Sequence, residues 1–261
     1  VFDVPELRGV EVRVSVGINM PNEIVSTMVI RDQVAADIRR GATGREISSA
    51  QADLFDEIKA WLHSDAADWN QHPLTDRFRN ELVIHKLPQV SCSFQRAFRM
   101  QWVEGTPNCS RMGAPDQRIT QAGRYNEPKD PVLYLSLEHC GALREMQNTE
   151  KPSGASLWVQ EYKLPLDQLS VVDIRAKTVD DWLGTVFDYC EIHERTIDPR
   201  NPYSFSRRIA ALVKQAGYDC MFIPGVRGDP EGRYTNAIVF TLGPHHGRVW
   251  QVGKPEEVSR R

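Results

Sequence analysis

A chain of 261 residues with 41% hydrophobic content can bury a real core, and it fits one large domain or one domain with an extension rather than a disordered polymer. Its formal net charge of -3 gives no electrostatic footprint for nucleic acid, whose protein partners are usually strongly basic. Five cysteines, an odd number with no CxxC pair, argue against a disulfide framework and against a zinc site.

Those thiols fit a reducing compartment, no apolar stretch is long enough for a membrane span, and the start carries no signal-peptide pattern. A soluble cytoplasmic protein is the expectation. Val10, Val12, Val14 and Val16 alternate with Glu11, Arg13 and Ser15, which predicts a strand with one wet face. From Ile24 to Ile38 the apolar spacing fits a helix imperfectly, and Gly41 and Gly44 break it. The next helix is clearer: Ile47, Ala50, Leu54, Ile58 and Leu62 fall on one face, and the pattern stops near His63. Such a stripe suits packing on the helix's own domain better than a partner groove. These elements predict a mainly helical N-terminal extension over 1–89, closed by Pro88, and a second domain over 90–261.

From Val90 the texture shifts to short strands. Residues 91–103 interleave Phe94, Phe98 and Trp102 with arginines, the pattern of a strand with one buried face. Residues 105–121 are polar and turn-rich, which predicts a long loop of the kind used as a lid or binding loop. The run 131–136, PVLYLS, reads as a buried strand that passes directly into a helix, with Ser136 in the N-cap position. Glu145 lies about two and a half turns into that helix and can look back towards Tyr134, so a phenol, a carboxylate and the Arg124 guanidinium can converge on one cleft.

Further on, 157–164 and 170–174 read as strands, 179–189 as a helix opened by Thr178, and 203–216 as a helix ended by Gly217. Residues 220–223 and 237–242 are closing strands, and 249–252 can add an edge strand. Competing catalytic signatures are absent: there is no HExxH, GxSxG, Walker loop or GxGxxG. His245 and His246 are adjacent and point apart on a strand, which does not suit a metal.

The order of GRYN (123–126), VLYLS (132–136) and ALRE (142–145) resembles the heart of the RES domain, a family named for an arginine, a glutamate and a serine. AFRM (97–100), YKLPLDQLSVVDI (162–174) and the segment 216–240 extend the resemblance over about 90–243. It implies an α+β fold with an ADP-ribosyltransferase-like bent or split β core and surrounding helices, preceded by the helical extension. It also implies an enzyme that breaks down NAD or transfers its ADP-ribose, without a metal, commonly as the toxin of a toxin–antitoxin pair. The acceptor is water, phosphate or a protein side chain, and the implied partners are an antitoxin or a protein acceptor.

By that resemblance Glu145 stabilises positive charge on the ribose, and Tyr134 stacks on nicotinamide at the cleft edge with its hydroxyl wet. Arg99 is the match for the family's first arginine in the NAD site, with Arg96 as its rival, and Arg124 is a second cation for the diphosphate. Tyr125 and Asn126 shape the loop before the substrate, and Arg227 and Asn236 complete the binding set. Where many RES domains carry Pro-Ser-x-Arg, this chain has Pro224, Gly225, Val226 and Arg227, so the serine is missing. The alternative function is therefore a catalytically inactive NAD-binding, ADP-ribose-binding or partner-binding module.

Overall fold

A computed structural model describes residues 49–64, 69–91, 93–147, 149–175, 182–183, 186–187, 190, 203–225, 234–242, 245 and 247–258. The strand over 10–16, the imperfect helix over 24–38, most of the helix over 179–189, and Arg227 lie outside the described residues. The chain divides into two compact units, Val1–Ala52 and Asp53–Arg261. The second holds the sheet, and all that follows concerns it. Among the described residues no helix is long and apolar enough to cross a membrane.

Helix α1, Ser49–His63, presents Ile58 and Leu62 to the interior as its apolar spacing predicts, and Trp61 beside them. Helix α2, Pro73–Ile84, begins with proline at its first position, and Nδ1 of His72 accepts the Leu74 N–H at 3.2 Å as the cap. Thr75, Phe78 and Leu82 form its buried face. The two helices meet at Trp61. Its indole N–H donates to Thr75 Oγ1 at 2.8 Å, and its ring stacks on Trp69 and Trp182 at centroid distances of 5.8 and 6.1 Å.

The strands are β1 (Phe94–Glu104), β2 (Leu133–Ser136), β3 (Ala155–Pro165), β4 (Val171–Asp173), β5 (Cys220–Pro224), β6 (Thr235–Val239) and β7 (Gln251–Glu257). Among the described residues they form one seven-stranded sheet in the order β4-β5-β6-β2-β1-β3-β7. Only β4 and β5 run parallel; every other pairing is antiparallel. The fold is α+β with a mixed sheet.

Helix α3 is the short Cys109–Met112 inside the predicted long loop, capped by Asn108, whose Oδ1 accepts the Arg111 N–H at 3.0 Å. Helix α4 spans His139–Gln147 and α5 spans Ser204–Gln215. Phe205, Ile209, Leu212 and Val213 line the buried side of α5, and Gly217 follows it at φ +83°, where a residue with a Cβ is strained. Two expectations are corrected. Ser136 is the last residue of β2 rather than an N-cap, and its hydroxyl donates to the Thr235 carbonyl at 3.2 Å instead. The 3-10 turn Arg248–Trp250 takes up Val249, so the edge strand is longer and later than 249–252.

Strand alternation sorts the core into two layers. Tyr134, Val172, Met221, Ile223 and Ile238 share one face with the helices α1, α2 and α5, and Phe98 and Met100 continue that face under α4. Ala97, Leu133, Leu135, Tyr162, Leu164, Phe222, Ala237 and Val239 form the other. Because Trp61 joins both N-terminal helices to the first layer, Trp61→Ala is expected to cost about 4 kcal/mol, the usual loss for a fully buried indole. A lowered urea midpoint with an unchanged slope is the measurement that checks it.

Candidate functional site

Glu145 stands near the end of α4, and α4 is held to the sheet by Ala142 against Phe98 and by the edge of His139 against the Phe98 ring, 5.4 Å between centroids. From there its half-buried carboxylate reaches the start of β6. Oε1 accepts the Tyr234 hydroxyl at 2.6 Å and the Asn236 amide N–H at 2.7 Å. Both distances lie in the range of hydrogen bonds to a carboxylate. Asn236 is in register with Ser136 of β2 and Ile223 of β5, so strand pairing decides which face its amide takes.

The same strand end is fastened from two sides. Glu138, just before α4, accepts the Thr235 N–H through Oε2 at 2.8 Å, while the Leu137 N–H donates to the Thr235 carbonyl at 2.8 Å. Arg175 donates from Nη1 to Thr235 Oγ1 at 2.9 Å and from Nε to Asp173 Oδ1 at 2.7 Å. Its hydrogen bond to Asp173 raises the Arg175 guanidinium further above its ordinary value.

Tyr134 lies two residues before Ser136 on β2 and faces the same way. Its hydroxyl donates to Asn126 Oδ1 at 2.8 Å and accepts the Tyr125 N–H at 2.9 Å. The Asn126 amide in turn donates to the carbonyls of Gln121 and Glu127 at 2.9 and 3.0 Å. The GRYN loop is thus pinned to β2 by the phenol, and the hydroxyl expected to be wet is engaged in that network. Burial pushes it well above the ordinary tyrosine range. Gly123 is required by this packing, since a Cβ there would come within 2.8 Å of the Tyr134 hydroxyl. The Arg124 guanidinium lies 5.9 Å from the ring centres of both Tyr125 and Tyr203.

Of the residues chosen from sequence, Glu145 and Asn236 are in direct contact, and Tyr134, Tyr125, Asn126 and Arg124 form an adjoining group. Arg99 is not brought to them. It alternates with Phe98, whose side chain packs under α4, and shares parity with Ala97 in the other core layer beside Tyr162. Part of the Arg99 side chain is exposed, but its Nη1 is sealed from solvent with no hydrogen-bond partner, and burial pushes the guanidinium below its ordinary value. Arg96, on the Glu145 side, makes two 2.7 Å bonds to Glu161 and lies over the Phe98 ring at 4.8 Å.

Tyr234 was not singled out by any motif. The one signal in the sequence is an aromatic two residues before Asn236, which becomes meaningful only once β6 is paired. Among the described residues, no group of three or more His, Cys, Asp or Glu is placed to hold a metal ion.

The RES domain family model matches residues 96–259 of this chain. A chain of the crystal structure of the M. tuberculosis MbcT–MbcA toxin–antitoxin complex is similar at 13% identity and a TM-score of 0.45, with 70% of this chain and 92% of that one covered. No curated protein sequence matches.

Two outcomes follow from the buried polar groups. The phenols of Tyr134 and Tyr162 are both raised by burial, whereas in the unfolded chain they ionise at about pH 10. Their contribution to stability is complete below that value and falls as the pH climbs from it towards the folded-state values, because the unfolded chain then binds fewer protons. Urea midpoints should therefore drop between about pH 9 and pH 11, and Tyr134→Phe should flatten the drop. Arg99→Met, which keeps an unbranched stem and removes the sealed charge, should stabilise the fold by about 1 kcal/mol or more, read as a higher urea midpoint.

Proposed function

The chain belongs to the RES domain family, and from that premise we propose that it is an NAD-consuming enzyme which cleaves the bond between nicotinamide and ribose. The observation that carries this reading is the seating of Glu145: a half-buried carboxylate whose Oε1 is held by two neutral donors, Tyr234 and Asn236. These two donors fix the direction of the carboxylate at the edge of the core. When the C–N bond breaks, its electron pair leaves with nicotinamide and the ribose carbon becomes cationic. A carboxylate already fixed beside that carbon, binding a ribose hydroxyl, stabilises the developing charge with little reorganisation. Water, phosphate or a protein nucleophile then attacks the same carbon and gives up its proton.

In this reading the Tyr134 ring offers a face for nicotinamide, while its hydroxyl and Asn126 hold the loop that carries Arg124 and Tyr125. Arg124 supplies the fork for the diphosphate, since guanidinium matches phosphate oxygens with two parallel bonds. Arg227 is a second candidate for that role from its motif alone. Arg99, which shares a face with the other core layer, is given no contact with NAD in this reading. A toxin whose partner is an antitoxin protein, or whose acceptor of ADP-ribose is a protein, is the biological setting we infer from the family. The competing reading, an inactive NAD-binding or ADP-ribose-binding module, is favoured by Gly225 in place of the serine.

Incubation with NAD separates the two: nicotinamide release supports the enzyme, while binding without release supports the module. Phosphate and candidate proteins added in turn identify the acceptor. Glu145→Gln keeps the volume and removes the charge, so turnover should fall on the order of 100-fold with little change in NAD affinity. A folded Glu145→Gln variant that releases nicotinamide at the wild-type rate would sink the assignment.

A further inference from the structure

Two glycines flank the ring of Tyr234, and neither needs to be glycine for its backbone. Gly141 on α4 and Gly225 after β5 are not among the glycines with positive φ. Space is what singles them out. A Cβ built on Gly141 would lie 2.6 Å from Cδ2 and 2.7 Å from Cγ of Tyr234, and would also strike Ser136 Oγ. On Gly225 it would collide with Cε2, Cζ and Cδ2 of the same ring. The ring is clamped between α4 and the end of β5, only 2% exposed, and the Gly225 N–H donates to the Tyr234 carbonyl at 2.7 Å. The clamp aims the phenol at Glu145 Oε1, 2.6 Å away.

We propose that Tyr234 is the positioning residue for Glu145, and that its ring has taken the space a serine side chain at position 225 would need. The hydroxyl missing from the end of β5 is thereby supplied from the start of β6. This rests on the role given to Glu145 above and adds the residue that holds it. The energetic case is direct. A hydroxyl donating to a carboxylate forms a charge-assisted bond, roughly twice as strong as a neutral one. Without it, Oε1 keeps the Asn236 amide from the other side and loses the bond that fixes its direction. A reacting group displaced by about 1 Å can cost about 100-fold in rate.

Gly225 and Tyr234 are then two halves of one exchange. With the ring in place a side chain at 225 is excluded; with the ring gone there is room for one.

Tyr234→Phe deletes the hydroxyl and leaves the ring between its two glycines. The expected result is a fall in kcat for nicotinamide release of about 10-fold to 100-fold, with KM for NAD and circular dichroism unchanged. Gly225→Ser alone should also lose activity, because it drives the ring off Glu145. Gly225→Ser combined with Tyr234→Ala should recover about 10-fold over Tyr234→Ala, judged against the charge-assisted bond regained. The Tyr234→Phe result is what separates positioning from packing, since that variant keeps the ring and loses only the hydroxyl.

If wild type releases no nicotinamide, the reaction is wrong, yet the positioning role is still read by a double-mutant cycle in urea. Tyr234→Phe should lower the unfolding midpoint by more in the wild-type background than in the Glu145→Ala background. Wild-type kcat in Tyr234→Phe, full activity in Gly225→Ser, no recovery in the double variant, or strict additivity in the cycle would overturn the proposal.

Discussion

Everything about this site depends on seating one carboxylate at the edge of a core. A glutamate brought partly out of water needs donors to replace the solvent it loses, and those donors must not neutralise it if its charge is to be used. Two of them come from the start of β6, while the carboxylate comes from α4, so helix and strand must meet in one register. Glu138, Arg175 and the Leu137 N–H all converge on Thr235, between the two donors in sequence, and hold that meeting point in place. The polar network around Thr235 therefore serves a mechanical purpose: it keeps the residues on either side of it from shifting past Glu145.

Much of the local structure was legible because it is written in local terms. The apolar face of α1, the strand over VLYLS and the glycine after α5 each follow from spacing or a single backbone requirement. Glu145, Asn236 and the Tyr134 loop were reachable through ordered motifs. What could not be read is what depends on pairing between distant segments. Alternation does say that Arg96 and Arg99 point apart, but which of them shares a face with Glu145 is decided when Phe98 pairs with Ser136, a contact across the length of the loop. Ser136 looked like a helix cap for the same reason: its true acceptor is the Thr235 carbonyl, far along the chain.

Tyr234 escaped notice for a further reason. An aromatic near the end of a strand is ordinarily core, and nothing beside it in sequence marks it otherwise. Its meaning comes from two glycines on other elements that give way to it. The serine missing at 225 and the tyrosine present at 234 look unrelated as letters and are a single packing event in space.

The two outer strands of the sheet carry a last consequence. At one end β7 contains Lys254, Pro255, Glu256 and Glu257; at the other β4 is three residues long and is met from outside by Lys86, which bridges to Val172. Proline offers no N–H to a newcomer, and charged or very short edges resist being extended. Among the described residues, each border of the sheet thus carries a feature that discourages edge-to-edge pairing. A partner that adds a strand at the β7 border meets Pro255 within the ladder, and one at the β4 border meets the Lys86 bridge.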